Sequence, residues 1–95
     1  MYSIYVKFTC LDNKREAFVE RVKKEGILDE IRKENGCILY DYYFSESDEN
    51  VLLLIEKWES LEHQQIHIAQ KHMAALREFK DEYIKSTELK EFELK

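Results

Sequence analysis

The chain of 95 residues contains no proline and only two glycines, Gly26 and Gly36. No proline-rich or glycine-rich linker divides it, so we expect residues 1–95 to form a single domain. Two cysteines, Cys10 and Cys37, are too few for a disulfide scaffold and do not form a Cys-x-x-Cys pair. We interpret both as reduced packing residues of a cytoplasmic protein.

The chain has no excess of positive charge, because its 20 acidic residues outnumber its 15 lysines and arginines, and it has no long apolar run. With a net charge of -5, the chain lacks the basic face expected of a protein that binds nucleic acid or an anionic membrane surface. Its longest uninterrupted apolar run covers residues 51–55, far short of the ~20 residues of a membrane-spanning helix. The first residues show no signal-peptide pattern. We therefore expect a cytoplasmic protein whose partners include neither nucleic acid nor a membrane.

The first half of the chain alternates between strand and helix patterns. Apolar residues alternate over residues 2–9, which predicts a strand. Asn13 is placed to cap a helix, with Glu16 in capping-box register, and Gly26 interrupts the helix that follows. Asn35 and Gly36 supply a left-handed stop before a second strand at residues 37–44.

The second half predicts a hairpin, a helix and a last strand. A polar turn at residues 45–50 leads into a strand at 51–58. Ser60 can cap a helix whose apolar stripe continues to about Ile84, and a strand follows at about residues 88–94. The order β-α-β-β-α-β is that of the ferredoxin-like α+β sandwich, with two helices on one face of a four-stranded antiparallel sheet.

Residues 51–55 are apolar on both strand faces, although two helices can cover only one side of the sheet. An uncovered apolar face implies a partner. The simplest partner is a second copy of the chain, so we expect a homodimer in which the two sheets face each other.

The end of the third strand carries the first candidate site residues. Leu54, Glu56 and Trp58 share one strand face, and either the helix side or the dimer side could hold that face. A carboxylate among core residues needs a partner. Glu56 could form a structural salt bridge or cap a backbone amide, or it could orient a histidine or bind a polar ligand atom. Trp58 is either plain packing or a pocket wall.

Two histidines follow on the next helix. His67 and His72 are five residues apart, roughly 140° around an ideal helix, so they converge only if the helix kinks between them. His67 is the stronger candidate, since neutral imidazole near pH 7 suits proton abstraction from a phenol or an enol. His63 and His67 have a spacing that can hold a metal, but no third ligand stands at a recognisable position, so we predict no metal site.

The chain resembles the antibiotic biosynthesis monooxygenase domain family over nearly its whole length. The resemblance rests on residues 34–40, residues 48–50, Glu56-Lys57-Trp58-Glu59-Ser60, and the positions of His67 and His72. It implies a ferredoxin-like fold, a dimeric α/β barrel, and a pocket in each subunit between sheet and helices. Carried over by position, Trp58 and His67 line this pocket, with Glu56 and His72 as supports.

Family members similar to this chain oxidise quinols or anthrone-like polyketides with O2, without metal or flavin. Others degrade haem, or isomerise or break down phosphorylated signalling sugars. The haem branch has an Asn on its first strand, which residues 2–9 lack. The anthrone branch has an Asn on strand three where this chain has Leu54.

We expect a cofactor-independent monooxygenase that acts on a quinol, an anthrone or a similar electron-rich phenol. In this hypothesis His67 takes or relays the proton, and Trp58 with Tyr40 or Tyr42 shapes the pocket. One alternative is a cofactor-free isomerase or breakdown enzyme for a small phosphorylated metabolite, with cations such as Lys7 or Lys57 in its pocket. The other is a dimeric ligand-binding module without catalysis.

Overall fold

The computed structural model describes residues 1–92 as four strands and four helices. In chain order they are β1 (Tyr2–Cys10), α1 (Arg15–Lys24), α2 (Ile27–Arg32), β2 (Cys37–Phe44), β3 (Val51–Trp58), α3 (Leu61–Ile68), α4 (Lys71–Lys80) and β4 (Ile84–Phe92). The strands pair antiparallel in the order β2-β3-β1-β4. The predicted ferredoxin-like α+β sandwich is confirmed, and each predicted helix is divided into two.

The first division falls at a glycine. Gly26 adopts a left-handed conformation (φ 76°) between α1 and α2, and Gly36 does the same (φ 83°) before β2, as the sequence predicted. The predicted cap of α1 is wrong. Asn13 is itself left-handed (φ 63°), and the N-cap residue is Lys14, whose side chain makes no capping hydrogen bond. The chain uses Asn13 to turn out of β1 instead.

The second division, between α3 and α4, has no glycine or proline to mark it. Ala69 ends α3, and Gln70 is extended (φ -71°, ψ 151°) before α4 begins. The prediction of one helix reaching about Ile84 is therefore wrong. Ile84 begins β4, four residues before the predicted start of the last strand, and Leu94 at the end of that prediction lies outside the described residues.

The register of β3 decides which of its faces meets the helices. Glu56 pairs with Ile4 on β1 and with Tyr40 on β2, and all three side chains are buried. Leu54 and Trp58 share that face and are buried with them. The face that carries the candidate site residues therefore lies under the helices, which resolves the choice left open by the sequence.

No helix of residues 1–92 covers the opposite face of the sheet. Tyr5 pairs there with Ile55, and Lys7 pairs with Leu53, and all four side chains are half-buried. Tyr43, on the same face of β2, is 46% exposed. The face is thus apolar along β3 and more polar along β1.

The two cysteines were predicted to be reduced packing residues. Cys10 and Cys37 are free thiols, and burial raises the pKa of each above its ordinary value, which keeps both thiols protonated at neutral pH.

Within residues 1–92, none of the helices is long and apolar enough to cross a membrane.

Candidate active site

Two imidazoles converge on one carboxylate beside the sheet. Oε2 of Glu34 lies 2.8 Å from Nδ1 of His67 and 2.8 Å from Nε2 of His72. Glu34 follows α2, whereas His67 lies on α3 and His72 on α4, on either side of the break. The kink that these histidines need in order to converge is therefore present. Sequence reasoning gave Glu34 no role, although it belongs to the motif that leads into β2.

The shared carboxylate fixes the protons on the two rings. An ionised carboxylate only accepts hydrogen bonds, so both imidazoles donate to Glu34. A neutral His67 then carries its proton on Nδ1 and a lone pair on Nε2. Burial lowers the pKa of His67 below its ordinary value, and Glu34 opposes this shift only in part. His67 is thus neutral at pH 7, with Nε2 available as a base.

The imidazole of His67 lines a cavity of about 220 Å³ between the sheet and helices α3 and α4. The buried lining residues that carry a polar group are Tyr40, Glu56, Gln64 and His67, and we call them the deep end of the cavity. Ile68, Arg77 and Leu89 are exposed and mark its mouth. Most of the remaining lining is apolar: Val6, Phe8, Phe18, Leu54, Ile68, Met73, Leu76 and Leu89. An apolar cavity of about 150 Å³ can bind benzene, so this cavity can admit an aromatic ring with small substituents.

Glu56 is a second titratable group at the deep end. Its Oε1 accepts a 3.0 Å hydrogen bond from Nε1 of Trp58. Burial raises the pKa of Glu56 to about 7, and the hydrogen bond from Trp58 opposes that shift. Glu56 does not orient a histidine, because Glu34 holds that position. Near pH 7 Glu56 is present as both carboxylic acid and carboxylate.

Trp58 lies behind the cavity and does not line it. Its ring is fully buried and packs against His67, with ring centroids 4.7 Å apart. Tyr40 meets the same imidazole edge-on, with centroids 5.6 Å apart. The two aromatic rings restrict the orientation of His67, and only Tyr40 also reaches the cavity.

Tyr40 and Tyr42 add hydroxyl groups to the lining. Both side chains belong to β2 and lie on the face of the sheet under the helices. Burial raises the pKa of Tyr40 well above its ordinary value, and it raises the pKa of Tyr42 as well. Both phenols therefore stay protonated at neutral pH and can donate a hydrogen bond.

Comparison with known proteins agrees with this architecture. Residues 1–78 match the protein family described as antibiotic biosynthesis monooxygenase. The chain belongs to this family. The resemblance inferred from its motifs is thereby confirmed. A search of curated proteins gave no match.

Solved structures share the fold along almost the whole chain. A conserved protein of Methanosarcina mazei has a TM-score of 0.84 and 26% identity, over 100% of this chain and 95% of that one. A Bacteroides thetaiotaomicron protein described as a possible oxidoreductase has a TM-score of 0.82 and 26% identity, over 98% and 96%. A structure described as an antibiotic biosynthesis monooxygenase has a TM-score of 0.84 at 16% identity, over 99% and 98%.

The other two histidines of this family member lie away from the cavity. His72 also contacts Oε2 of Glu34, and it lines a separate cleft together with Arg21 and Glu78. Nδ1 of His63 lies 2.7 Å from the hydroxyl of Ser60, and that hydroxyl also accepts from the backbone N–H of His63. Ser60 therefore caps α3, as predicted, and His63 completes the cap instead of joining His67.

Two lysines proposed for a polar pocket are also elsewhere. Lys7 pairs with Leu53, and Lys57 pairs with Ser3, on the sheet face opposite the helices. The expectation that either lysine supplies a pocket cation is wrong. The cations that line the cavity of this monooxygenase-family chain are Arg77 and Lys80, both from α4.

Within residues 1–92, one group of three side chains could hold a metal ion. The ligand atoms of Glu34, His67 and His72 lie within 4.8 Å of one another, and this group differs from the His63–His67 pair considered from the sequence. Hydrogen bonds already join Glu34 to both imidazoles. A metal would have to replace the two imidazole protons that donate to the carboxylate.

Proposed function

We propose that this protein is a cofactor-independent monooxygenase that oxidises a quinol or a similarly electron-rich phenol with O2. The observation that supports this most strongly is the state of His67. Its Nδ1 is held by Glu34, burial lowers the pKa of its imidazole, and the ring lines a mainly apolar cavity of ring size. The family to which the chain belongs and the described names of two structural neighbours agree with an oxidative function.

The first step in this proposal is a proton transfer. A substrate hydroxyl that meets Nε2 of His67 loses its proton to the imidazole. Glu34 stabilises the imidazolium that results, because its carboxylate is only 2.8 Å from Nδ1. Trp58 and Tyr40 keep the ring aligned. The phenolate left in the cavity is a much better electron donor than the phenol.

O2 is the only oxidant that the remaining steps need. The phenolate gives one electron to O2, and the resulting superoxide joins a ring carbon, which forms a C–O bond. Cleavage of the O–O bond then leaves a new carbonyl on the ring and releases one oxygen atom as water. Overall, a quinol and O2 give a hydroxyquinone and water. Glu56, with a pKa of about 7, is placed to supply a proton to the departing oxygen.

The size of the cavity favours small substrates. About 220 Å³ exceeds the ~150 Å³ that is enough for benzene, but it leaves little room for three fused rings. We therefore infer that one-ring and two-ring quinols are better substrates than anthrones, which would have to extend through the mouth.

We further propose that the open sheet face pairs with a second copy of the chain. Leu53 and Ile55 lie at the centre of this face, and no helix of residues 1–92 covers them. Sedimentation at micromolar concentration should give a dimer, and Ile55→Lys should give a monomer. A monomeric wild-type protein would reject this assembly.

The test of the proposed chemistry is O2 uptake with a panel of quinols and anthrone-type phenols, with a metal chelator present. We expect uptake above autoxidation, and a fall of about 10² to 10⁴-fold in His67→Ala, the range typical of a general base. His63→Ala is the matched control, since His63 lies on the same helix and outside the cavity. A loss of less than about tenfold in His67→Ala would exclude the base role. No uptake by folded protein would favour the isomerase or binding-module alternative.

A further inference from the structure

Two positive charges stand at the mouth of the cavity, in a chain whose net charge is -5. Arg77 and Lys80 are three residues apart on α4, so they lie on one face of that helix. Met73 and Leu76 line the cavity from the same helix. This face of α4 therefore combines an apolar wall with two cationic groups.

Contacts hold both cations beside the cavity. Nη1 of Arg77 donates to the carbonyl oxygen of Ile68, the last residue of α3, at 3.2 Å. The guanidinium keeps further N–H groups for another acceptor. Nζ of Lys80 lies 5.5 Å from the centroid of the Phe8 ring, which lines the cavity as well. Neither cation forms a salt bridge with a carboxylate of residues 1–92.

No lining carboxylate balances these charges at the mouth. The acidic residue of the lining is Glu56, which is buried at the deep end. Arg77 and His67 line the same cavity of about 220 Å³. An anion held by Arg77 would therefore lie within a small molecule's length of the candidate base.

We propose that the substrate is an aromatic acid: a phenolic or quinol ring that carries a carboxylate. The ring occupies the apolar cavity with its hydroxyl at His67, and the carboxylate meets Arg77, with Lys80 adding a second positive charge. The ring half of this assignment rests on the proposed function. The carboxylate half rests on the fork of guanidinium N–H groups, which matches a carboxylate in two parallel hydrogen bonds.

A pair of ligands that differ only in the anionic group tests the assignment. Titration calorimetry under nitrogen would compare 2,5-dihydroxybenzoate with hydroquinone. We expect the acid to bind at least tenfold more tightly, and we expect raised ionic strength to weaken only the acid. Arg77→Gln/Lys80→Gln should bring the acid to the affinity of hydroquinone and leave hydroquinone within twofold of wild type. Lys71→Gln/Lys85→Gln, which removes two exposed cations outside the cavity, should change neither value.

Equal dissociation constants for the two ligands in wild type would overturn the proposal, as would a preference for the acid that survives Arg77→Gln/Lys80→Gln. Circular dichroism of each variant would confirm that it is folded. Because binding is measured without O2, the result is independent of turnover. If calorimetry shows a preference for the acid and the separate O2-uptake assay shows no turnover, the anion site is supported and the monooxygenase proposal is rejected. If hydroquinone supports O2 uptake but the two ligands bind equally, the monooxygenase proposal is supported and the anion site is rejected.

Discussion

Oε2 of Glu34 lies 2.8 Å from Nδ1 of His67, and both side chains are shielded from water, with 10% and 2% of their surface exposed. A hydrogen bond between a carboxylate and an imidazole in such surroundings is stronger than an exposed ion pair. It fixes the tautomer and the orientation of the ring, as a carboxylate does for the histidine of a Ser-His-Asp triad.

Glu34→Gln should reduce the turnover number by about a hundredfold or more, because an amide can donate to Nδ1 and stabilise the wrong tautomer of His67. O2 uptake with a saturating quinol measures the effect. Glu30→Gln, an exposed position on α2, should leave turnover unchanged. Turnover of Glu34→Gln within threefold of wild type, alongside an inactive His67→Ala, would show that the carboxylate does not orient the base.

The rate should depend on pH through two groups. kcat/KM should rise as His67 loses its proton, with a midpoint below the ordinary imidazole value of 6.5. It should fall again as Glu56 loses its proton near pH 7. Initial rates between about pH 5 and about pH 9 give this profile. Glu56→Gln should have a lower kcat/KM, and its kcat/KM should no longer decrease at high pH. If the decrease persists in Glu56→Gln, another group causes it.

Glu56→Gln should stabilise the fold at high pH. Because the pKa of Glu56 is raised from 4.5 to about 7 on folding, the folded state binds this proton more tightly than the unfolded state. This tighter proton binding stabilises the folded state fully below pH 4.5, and the stabilisation is lost as the pH rises to about 7. The loss is about 3 kcal/mol.

Gln keeps an oxygen that can accept from Trp58 and carries no charge. The free energy of unfolding of Glu56→Gln should therefore equal that of wild type near pH 4 and exceed it near pH 8. Urea denaturation followed by circular dichroism measures this difference. Glu46→Gln, in the exposed turn, serves as the control. Equal free energies of unfolding for Glu56→Gln and wild type at both pH values would show that burial does not raise the pKa of Glu56.

The turn before β2 should tolerate no side chain at position 36. Gly36 is left-handed, and a Cβ there would overlap the ring of His63. Gly26 has a similar φ but open space around it, so Gly26→Ala reports the backbone strain alone. Gly36→Ala should lose about 1–3 kcal/mol more than Gly26→Ala in urea denaturation. Adding His63→Ala removes the two ring contacts and leaves the 2.9 Å contact with Cβ of position 63, so it should recover part of that difference. No recovery at all would show that overlap with the His63 ring is not the cause.

The sequence predicted the fold well where local pattern and tertiary packing agree. The bounds of β2 and β3 match the prediction residue by residue, because polar turns flank their aromatic and apolar runs. Prediction failed where packing overrides propensity. No glycine or proline lies between Ser60 and Lys80, so nothing local announces the extended Gln70 that divides α3 from α4.

The same limit applies to the candidate site. His67, Glu56, Tyr40 and Tyr42 reach the cavity. The family resemblance implied a pocket position for His67, whereas strand alternation left open which face of the sheet carries Glu56. Glu34 was missed because it is 33 residues from His67, and no periodic pattern joins them. The available signal was indirect: a buried imidazole needs a hydrogen-bond acceptor, and Glu34 is the acid beside the left-handed turn at Gly36.

Trp58 is the only tryptophan of the chain, and its ring lies against His67. All indole emission of the unlabelled protein therefore originates in contact with the candidate base. Protonation of His67, or the arrival of a molecule beside it, changes the surroundings of this one fluorophore. The fold thus contains an intrinsic optical reporter of the candidate active site, which makes stopped-flow titration possible without a dye.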